Sequence, residues 1–262
     1  MTDDTTLKTT FNEDAGAYHT FRPRYPEALF KKLIRDTHLT PTSKLLEIGP
    51  GTGQATETLA KQGFHITAIE LGAAMAQKAH EVLVDSPNVT IRTGAFEDVP
   101  LPDSHFDLVF AATAFHWIHP DYKFKKSFQV LKPEGYLAII HTEHVSDEKG
   151  DKFVFASLPI YQRHSSSPND NFRLPKVSDL APPTIDTTLF TLQSFTVFPY
   201  SHLYSGREYA GLLSTYSPTI AMPPKERKEF LASIRRLIEV EFNDNVARNF
   251  AMTLTIAKKN SP

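Results

Sequence analysis

The chain has 262 residues, a formal net charge of −2 and no cysteine. This length predicts one large domain, or one domain with an appended lid. The nearly balanced charge excludes a global attraction to nucleic acid or to an anionic membrane. The lack of cysteine excludes disulfides, thiolate metal sites and cysteine nucleophiles. No apolar run approaches the ~20 residues that span a bilayer, and the polar start is unlike a signal peptide, so we expect a cytoplasmic protein.

An aromatic and basic segment, residues 11–25, precedes the first predicted strand. Residues 1–12 are predicted to be disordered. Tyr18, Arg22 and Arg24 allow two interpretations. They belong either to a surface segment strapped across the domain or to a lid over a ligand, where the arginines match a carboxylate bidentately.

The stretch from Leu45 to Gln54 is predicted to be a buried strand, a glycine-rich turn and the start of a helix. Ligands bind at the carboxyl ends of strands in open parallel sheets. Glycine at positions 49, 51 and 53 lets the chain turn sharply and lets a ligand approach the backbone, and the N–H groups of the following helix face that ligand. Glu47 precedes these glycines, so the pattern is E-x-G-x-G-x-G.

The second predicted strand, His65–Glu70, ends in an acid. A carboxylate at this position can accept both hydroxyls of a ribose, which indicates a nucleoside ligand without specifying which one. A third strand is predicted at 89–93. Candidates for contact with the base follow these two strands: Leu71, Met75, Ala95 and Phe96. For Met75, packing in the core is an equally good interpretation.

A fourth strand, Phe106–Ala112, is almost continuously apolar, as a central parallel strand should be. Ala112 is small where the chain passes close to a ligand, and His116 and Trp117 follow it. His116 is either structural or functional. A helix at 120–131 and a strand at 136–141 continue the alternation, which predicts a parallel α/β sheet.

Beyond residue 146 the regular alternation of strands and helices ends. The later predicted elements are a helix at 151–163, a loop at 165–171, a strand at 190–204, helices at 207–216 and 224–242, and a strand at 249–258. We therefore predict an N-terminal cap and cofactor-binding core at 1–145, a variable substrate or lid region at 146–222, and a final helix and strand at 223–262 that complete the core sheet.

Together these elements resemble class I S-adenosylmethionine (SAM) methyltransferases over residues 15–258. The resemblance is carried by residues 46–53, Glu70, residues 94–97 and the stretch 131–135. Residues 18–26 and 114–117 resemble more narrowly a small-molecule branch that includes the fungal trans-aconitate methyltransferases.

The resemblance implies a Rossmann-like seven-stranded sheet in the order 3-2-1-4-5-7-6, with the last strand antiparallel, helices on both faces and a variable substrate lid. It implies SAM as cofactor, S-adenosylhomocysteine (SAH) as product and no metal. It also implies the cofactor-binding residues Glu47, Gly49, Gly51, Gly53, Glu70, Leu71, Met75, Ala95, Phe96 and Ala112. Phe96 departs from the branch, which more often has a small residue there.

The expected reaction is methyl transfer to a small-molecule acceptor, a carboxylate or a hydroxyl. His116 is the candidate general base, and Trp117 and Tyr18 are candidates for positioning the acceptor. Arg22 and Arg24 are candidates for binding an acidic acceptor. We expect no nucleic-acid or membrane partner, and a monomer or homodimer. One alternative is a SAM-binding module or scaffold without catalysis. A nicotinamide oxidoreductase is less favoured, because G-x-G-x-x-G lacks its third glycine here.

Overall fold

In the computed structural model, the structure describes residues 15–147, 150–164 and 173–261. Two compact units divide the chain. The sheet unit comprises the described residues of 24–142, 181–198 and 252–262, and the helical unit those of 1–23, 143–180 and 199–251. The predicted division at residues 145 and 222 stays a prediction.

The helices are α1 Ala15–Phe21, α2 Glu27–Asp36, α3 Gln54–Ala60, α4 Ala73–Val82, α5 Pro120–Val130, α6 Lys152–His164, α7 Gly206–Ser214, α8 Ser217–Ile220 and α9 Pro224–Glu241. The strands are β1 Lys44–Ile48, β2 His65–Glu70, β3 Val89–Thr93, β4 Phe106–Ala112, β5 Leu131–His144, β6 Phe190–Tyr204 and β7 Val246–Lys259. Short 3₁₀ turns lie at Phe115–Trp117 and Val177–Asp179. No helix in these described ranges is long and apolar enough to cross a membrane.

The strands form a mixed seven-stranded sheet in the order β3-β2-β1-β4-β5-β7-β6, which confirms the predicted order. β1 pairs in parallel with β2 and β4, and further parallel pairs join β2 to β3 and β4 to β5. In the β1–β2 register Ile48 lies opposite Ile69. The glycine turn and Glu70 therefore follow neighbouring strands at the same edge of the sheet.

The sheet unit has its core around the central strands. Leu46, Val109 and Ala111 are fully buried, and Phe96 and Phe190 pack in the same cluster. Such continuously apolar strands are typical of a parallel sheet covered on both faces. The rigid centre fixes the point at which each strand ends, and the candidate site is built from these ends.

The helical unit has its own aromatic core. α9 contributes Phe230 and Ile234 from its apolar stripe, and both are fully buried beside Tyr209 of α7. A Cβ at Gly211 would lie 2.6 Å from the ring of Phe21, so the glycine lets α1 pack directly against α7.

The largest differences from the predicted bounds lie in β5 and β7. β5 begins at Leu131 rather than at 136, because Leu131 pairs with Phe106 and an irregularity precedes the pairing of Tyr136 with Leu108. β7 begins at Val246 rather than 249. The helix α1 was not predicted within the aromatic segment. The predicted disorder of residues 1–12 and the predicted loop at 165–171 both lie outside the described residues.

Candidate functional site

The glycine turn has a backbone that only glycine adopts easily. Gly49, Gly51 and Gly53 have φ values of +66°, +59° and +86°, in the left-handed region where a side chain is strained. A Cβ at Gly49 would lie only 2.6 Å from the Cβ of Ala114. Position 49 therefore cannot carry a side chain unless Ala114 moves.

Glu70 is tied to this turn by hydrogen bonds. The backbone N–H of Gly51 donates to Oε2 and that of Gly72 to Oε1, both at 2.8 Å. Burial raises the pKa of Glu70, while the hydrogen bonds from the backbone of Gly72, Gly51 and Leu71 lower it. Each carboxylate oxygen has two lone pairs, so Glu70 can also accept hydrogen bonds from a ligand.

Glu47 is a second buried acid beneath the turn. It is completely buried, and Thr56 Oγ1 donates to its Oε2 at 2.6 Å. Within the described part of the chain, Oε1 has no hydrogen-bond partner. Burial raises the pKa of Glu47 to about 8, the bond from Thr56 lowers it, and the charge of Glu70 raises it. The two acids therefore lie close enough to interact.

The residues predicted to flank the base fall into two groups. Leu71 is exposed and Ala95 is half-buried, so both retain surface for a ligand. Met75 and Phe96 are 3% and 4% exposed and have little surface to offer. The half-buried Ala112 ends β4. Cofactor contacts by these five residues stay predictions.

The carboxyl end of β4 leads to the candidate catalytic residues. His116 is exposed and Trp117 half-buried on the 3₁₀ turn. The ring centroid of His116 lies 4.7 Å from that of Trp117 and 5.2 Å from that of His141. His141 of β5 was not predicted, since only the parallel β4–β5 pairing brings it here.

A second feature that the sequence did not reveal is Thr113. Its φ is +58°, which is uncommon for a β-branched residue and is found most often at functional sites. Its hydroxyl lies 3.1 Å from the hydroxyl of Tyr25 and 3.4 Å from that of Thr142.

The predicted substrate residues are divided between the two units. In the helical unit, Arg22 donates from Nε and Nη2 to Oγ1 and the carbonyl of Thr215, at 2.9 and 2.8 Å. Tyr18 lies in the same unit, with its ring centroid 4.8 Å from the Arg22 guanidinium carbon. Arg24 belongs to the sheet unit, where it forms a 3.6 Å ion pair with Glu57. The binding of an acceptor by these residues stays a prediction.

The sheet unit fits an adenosyl sulfonium. Glu47 Oε1 has no hydrogen-bond partner among the described residues, Glu70 retains lone pairs for the hydroxyls of a ribose, and Gly49, Gly51 and Gly53 present no side chain to a ligand. Fold and site together define a nucleoside-binding α/β protein of the Rossmann-like class.

Comparisons with known proteins specify the family. A family described as a methyltransferase domain matches residues 46–139. An uncharacterised methyltransferase of Schizosaccharomyces pombe is 27% identical over 231 residues, which cover 88% of this chain and 87% of the relative. An uncharacterised methyltransferase of Geobacillus sp. is 30% identical over 164 residues, covering 59% of this chain and 68% of the relative.

A solved structure shares the fold. It is Haemonchus contortus phosphoethanolamine N-methyltransferase 2 in complex with phosphomonomethylethanolamine and SAH, with a TM-score of 0.52 and 17% identity. The match covers 95% of this chain and 58% of that one. The chain thus belongs to the methyltransferase family and is a SAM-dependent methyltransferase.

Proposed function

We propose that this methyltransferase moves the methyl group of SAM to an oxygen of a small-molecule acceptor, either a carboxylate or a hydroxyl. The observation that carries this proposal is the exposed His116, paired with Trp117 and His141 at the carboxyl end of a central strand. That edge of a parallel sheet is where ligands bind.

For the cofactor, the glycine turn from Gly49 to Gly53 and Glu47 would hold the methionyl part, and Glu70 would hold the ribose. Both acids offer hydrogen-bonding oxygen atoms to the polar groups of this ligand. When bound, SAM supplies a methyl group already activated by its attachment to a sulfonium.

The protein must then hold the acceptor oxygen in line with that methyl group and exclude water. Positioning of this kind can supply roughly 7–11 kcal/mol. Trp117 and Tyr18 are the proposed positioning residues, and Arg22 and Arg24 are proposed to bind an acidic acceptor.

The role of His116 depends on the acceptor. A hydroxyl must lose its proton, and His116 would take it as general base. A carboxylate has an unperturbed pKa of about 4, so it is ionised at neutral pH and needs no base. In that case the imidazole would only orient the acceptor. We propose a monomer or homodimer, with no nucleic-acid partner.

Incubating the purified protein with methyl-labelled SAM and fractionated small-molecule extracts tests the proposal. We expect label in a base-labile methyl ester or in a stable methyl ether, which separates a carboxylate acceptor from a hydroxyl acceptor. SAM binding without transfer of label to any fraction would favour the non-catalytic module. Label in protein or nucleic acid alone would contradict a small-molecule acceptor.

A further inference from the structure

The helical unit contains a buried arginine that has no carboxylate partner among the described residues. Arg248 of β7 is 7% exposed, and its guanidinium carbon lies 5.3 and 5.5 Å from the ring centroids of Phe153 and Tyr209. In the described ranges its Nε has no hydrogen-bond partner, and no carboxylate forms an ion pair with it. The aromatic faces attract the cation, but they leave its Nε–H donor unsatisfied, which the donors of buried charged groups rarely are.

A second arginine of the same unit also lacks a carboxylate partner among the described residues. Two N–H groups of Arg22 bind Thr215, and its guanidinium carbon lies 4.3 Å from the ring centroid of Tyr216. Since a guanidinium has five N–H donors and stays protonated in proteins, Arg22 keeps both its charge and further donors.

The imidazole of His144 lies within range of the charges of both arginines. Burial, together with the charges of Arg248 and Arg22, lowers the pKa of His144 to about 3. His144 Nε2 lies 2.8 Å from the hydroxyl of Tyr216, and its buried Nδ1 has no partner among the described residues. The imidazole therefore stays neutral near pH 7, and the only full charges identified in this cluster are the two guanidinium groups.

We propose that Arg248 and Arg22, together with the hydroxyl of Tyr216, form a binding site for a small organic carboxylate. A planar guanidinium matches a carboxylate bidentately, and the aromatic walls formed by Phe153 and Tyr209 suit the apolar body of an organic acid. The inference rests on the proposed function, in which this acid is the methyl acceptor. An acid that binds here as an effector has the same chemistry, and the experiment separates the two.

The test measures thermal unfolding of the full chain against increasing sodium succinate, with sodium chloride at equal ionic strength and neutral dimethyl succinate as references. We compare the wild type with Arg248→Met, Arg248→Lys and the matched control Arg235→Met. Arg235 lies in the same unit but is exposed and ion-paired with Glu239. A general salt effect on stability is shared by all four proteins, so only a difference between them reports a site.

We expect saturable stabilisation by succinate in the wild type and in Arg235→Met, and none from the neutral ester. Arg248→Met should bind succinate at least about 30-fold more weakly, as expected when one partner of a buried charge pair is truncated. Arg248→Lys keeps the charge but not the planar guanidinium, so its affinity for succinate should lie between those of the wild type and Arg248→Met. Without succinate, Arg248→Met should unfold at the wild-type temperature or above, because it removes an unpaired buried charge.

Two results together would establish a structural role for Arg248 and overturn the proposal. The wild type would show no saturable response to succinate, and Arg248→Met would be less stable than the wild type without ligand. Saturation by inorganic phosphate but not by succinate would also overturn it. SAM titration of the same samples keeps the two proposals apart. Retained SAM binding without any succinate response removes only the carboxylate site, whereas absent SAM binding removes the proposed function. Methyl label in the bound acid marks an acceptor, and binding without label marks an effector; both support the site.

Discussion

The two units enclose ionisable groups of opposite kinds, acids in the sheet unit and arginines in the helical unit. The sheet unit encloses Glu47 and Glu70, 0% and 8% exposed, with no cationic side chain paired to either in the described ranges. The helical unit encloses Arg248 and Arg22, with no paired carboxylate in the same ranges. The acids can relieve their burial by protonation, and the pKa of Glu47 near 8 shows this. The arginines cannot. The contrast supports the anionic ligand proposed for the helical unit, because only the charges of that unit cannot be lost by a change of protonation.

The largest expected effect comes from a substitution in the glycine turn, which lies beside Glu47 and Glu70. Gly49→Val adds a β-branched side chain at φ +66° and places Cβ 2.6 Å from that of Ala114. We expect it to abolish SAM binding and to lower the free energy of unfolding by about 2–6 kcal/mol. Gly63→Val is the control, with φ +90° and no atom within 4 Å of the added Cβ. Urea denaturation and SAM titration compare them, and equal losses in both variants would refute the role of the turn.

The next effect tests the role of His116 in methyl transfer. His116→Ala should lower kcat on a hydroxyl acceptor by about 10²–10⁴-fold and change kcat on a carboxylate acceptor little. SAM affinity should be unchanged in either case. His65→Ala, an exposed histidine at the start of β2, is the control. Unchanged turnover of a hydroxyl acceptor would remove His116 as base.

Glu47 makes the stability of the folded protein depend on pH. Its folded-state pKa of about 8 lies above the ordinary value of 4.5 for a glutamic acid, so between these values the unfolded chain ionises and the folded chain does not. The wild type therefore loses stability as the pH rises from about 5 to 8, by a few kcal/mol at most. Glu47→Gln mimics the protonated acid and should lack this loss. Unfolding by urea at pH 5, 6.5 and 8 measures it, and parallel pH profiles for both proteins would contradict the assignment.

A smaller effect is expected from replacing the second acid, Glu70. Glu70→Gln keeps the shape of the side chain but removes the charge and an acceptor. It should weaken SAM binding by about 1.5–3 kcal/mol, the cost of a hydrogen bond to a charged group. Glu81→Gln, exposed on α4 and paired with Lys78, should bind SAM as the wild type does. Calorimetric titration of both variants is the measurement, and wild-type affinity in Glu70→Gln would exclude contact with the ribose.

The sequence predicted the sheet unit more fully than the helical unit. The bounds of β2, β3 and β4 match the predictions, because short apolar runs bounded by glycine, proline and polar turns mark buried strands. The position of Glu70 beside the glycine turn follows from the parallel pairing of β1 and β2. These features depend on the local residue pattern and on the parallel pairing of neighbouring strands.

The remaining features depend on contacts between distant parts of the chain. Arg248 lies just before the predicted start of the last strand, and nothing in its neighbours along the chain shows that Phe153 and Tyr209 enclose it. The left-handed backbone of Thr113 has no sequence signal either. Arg22 and Arg24 appeared as a pair in sequence, yet they fall in different units, since the boundary passes between them.

Crossed calorimetric titrations test the central claim most directly. SAM and sodium succinate are each titrated into the wild type, Glu70→Gln and Arg248→Met. The account predicts that Glu70→Gln loses affinity for SAM and keeps succinate, while Arg248→Met loses succinate and keeps SAM. No heat of binding for either SAM or SAH in the wild type, or equal loss of both ligands in both variants, would contradict it.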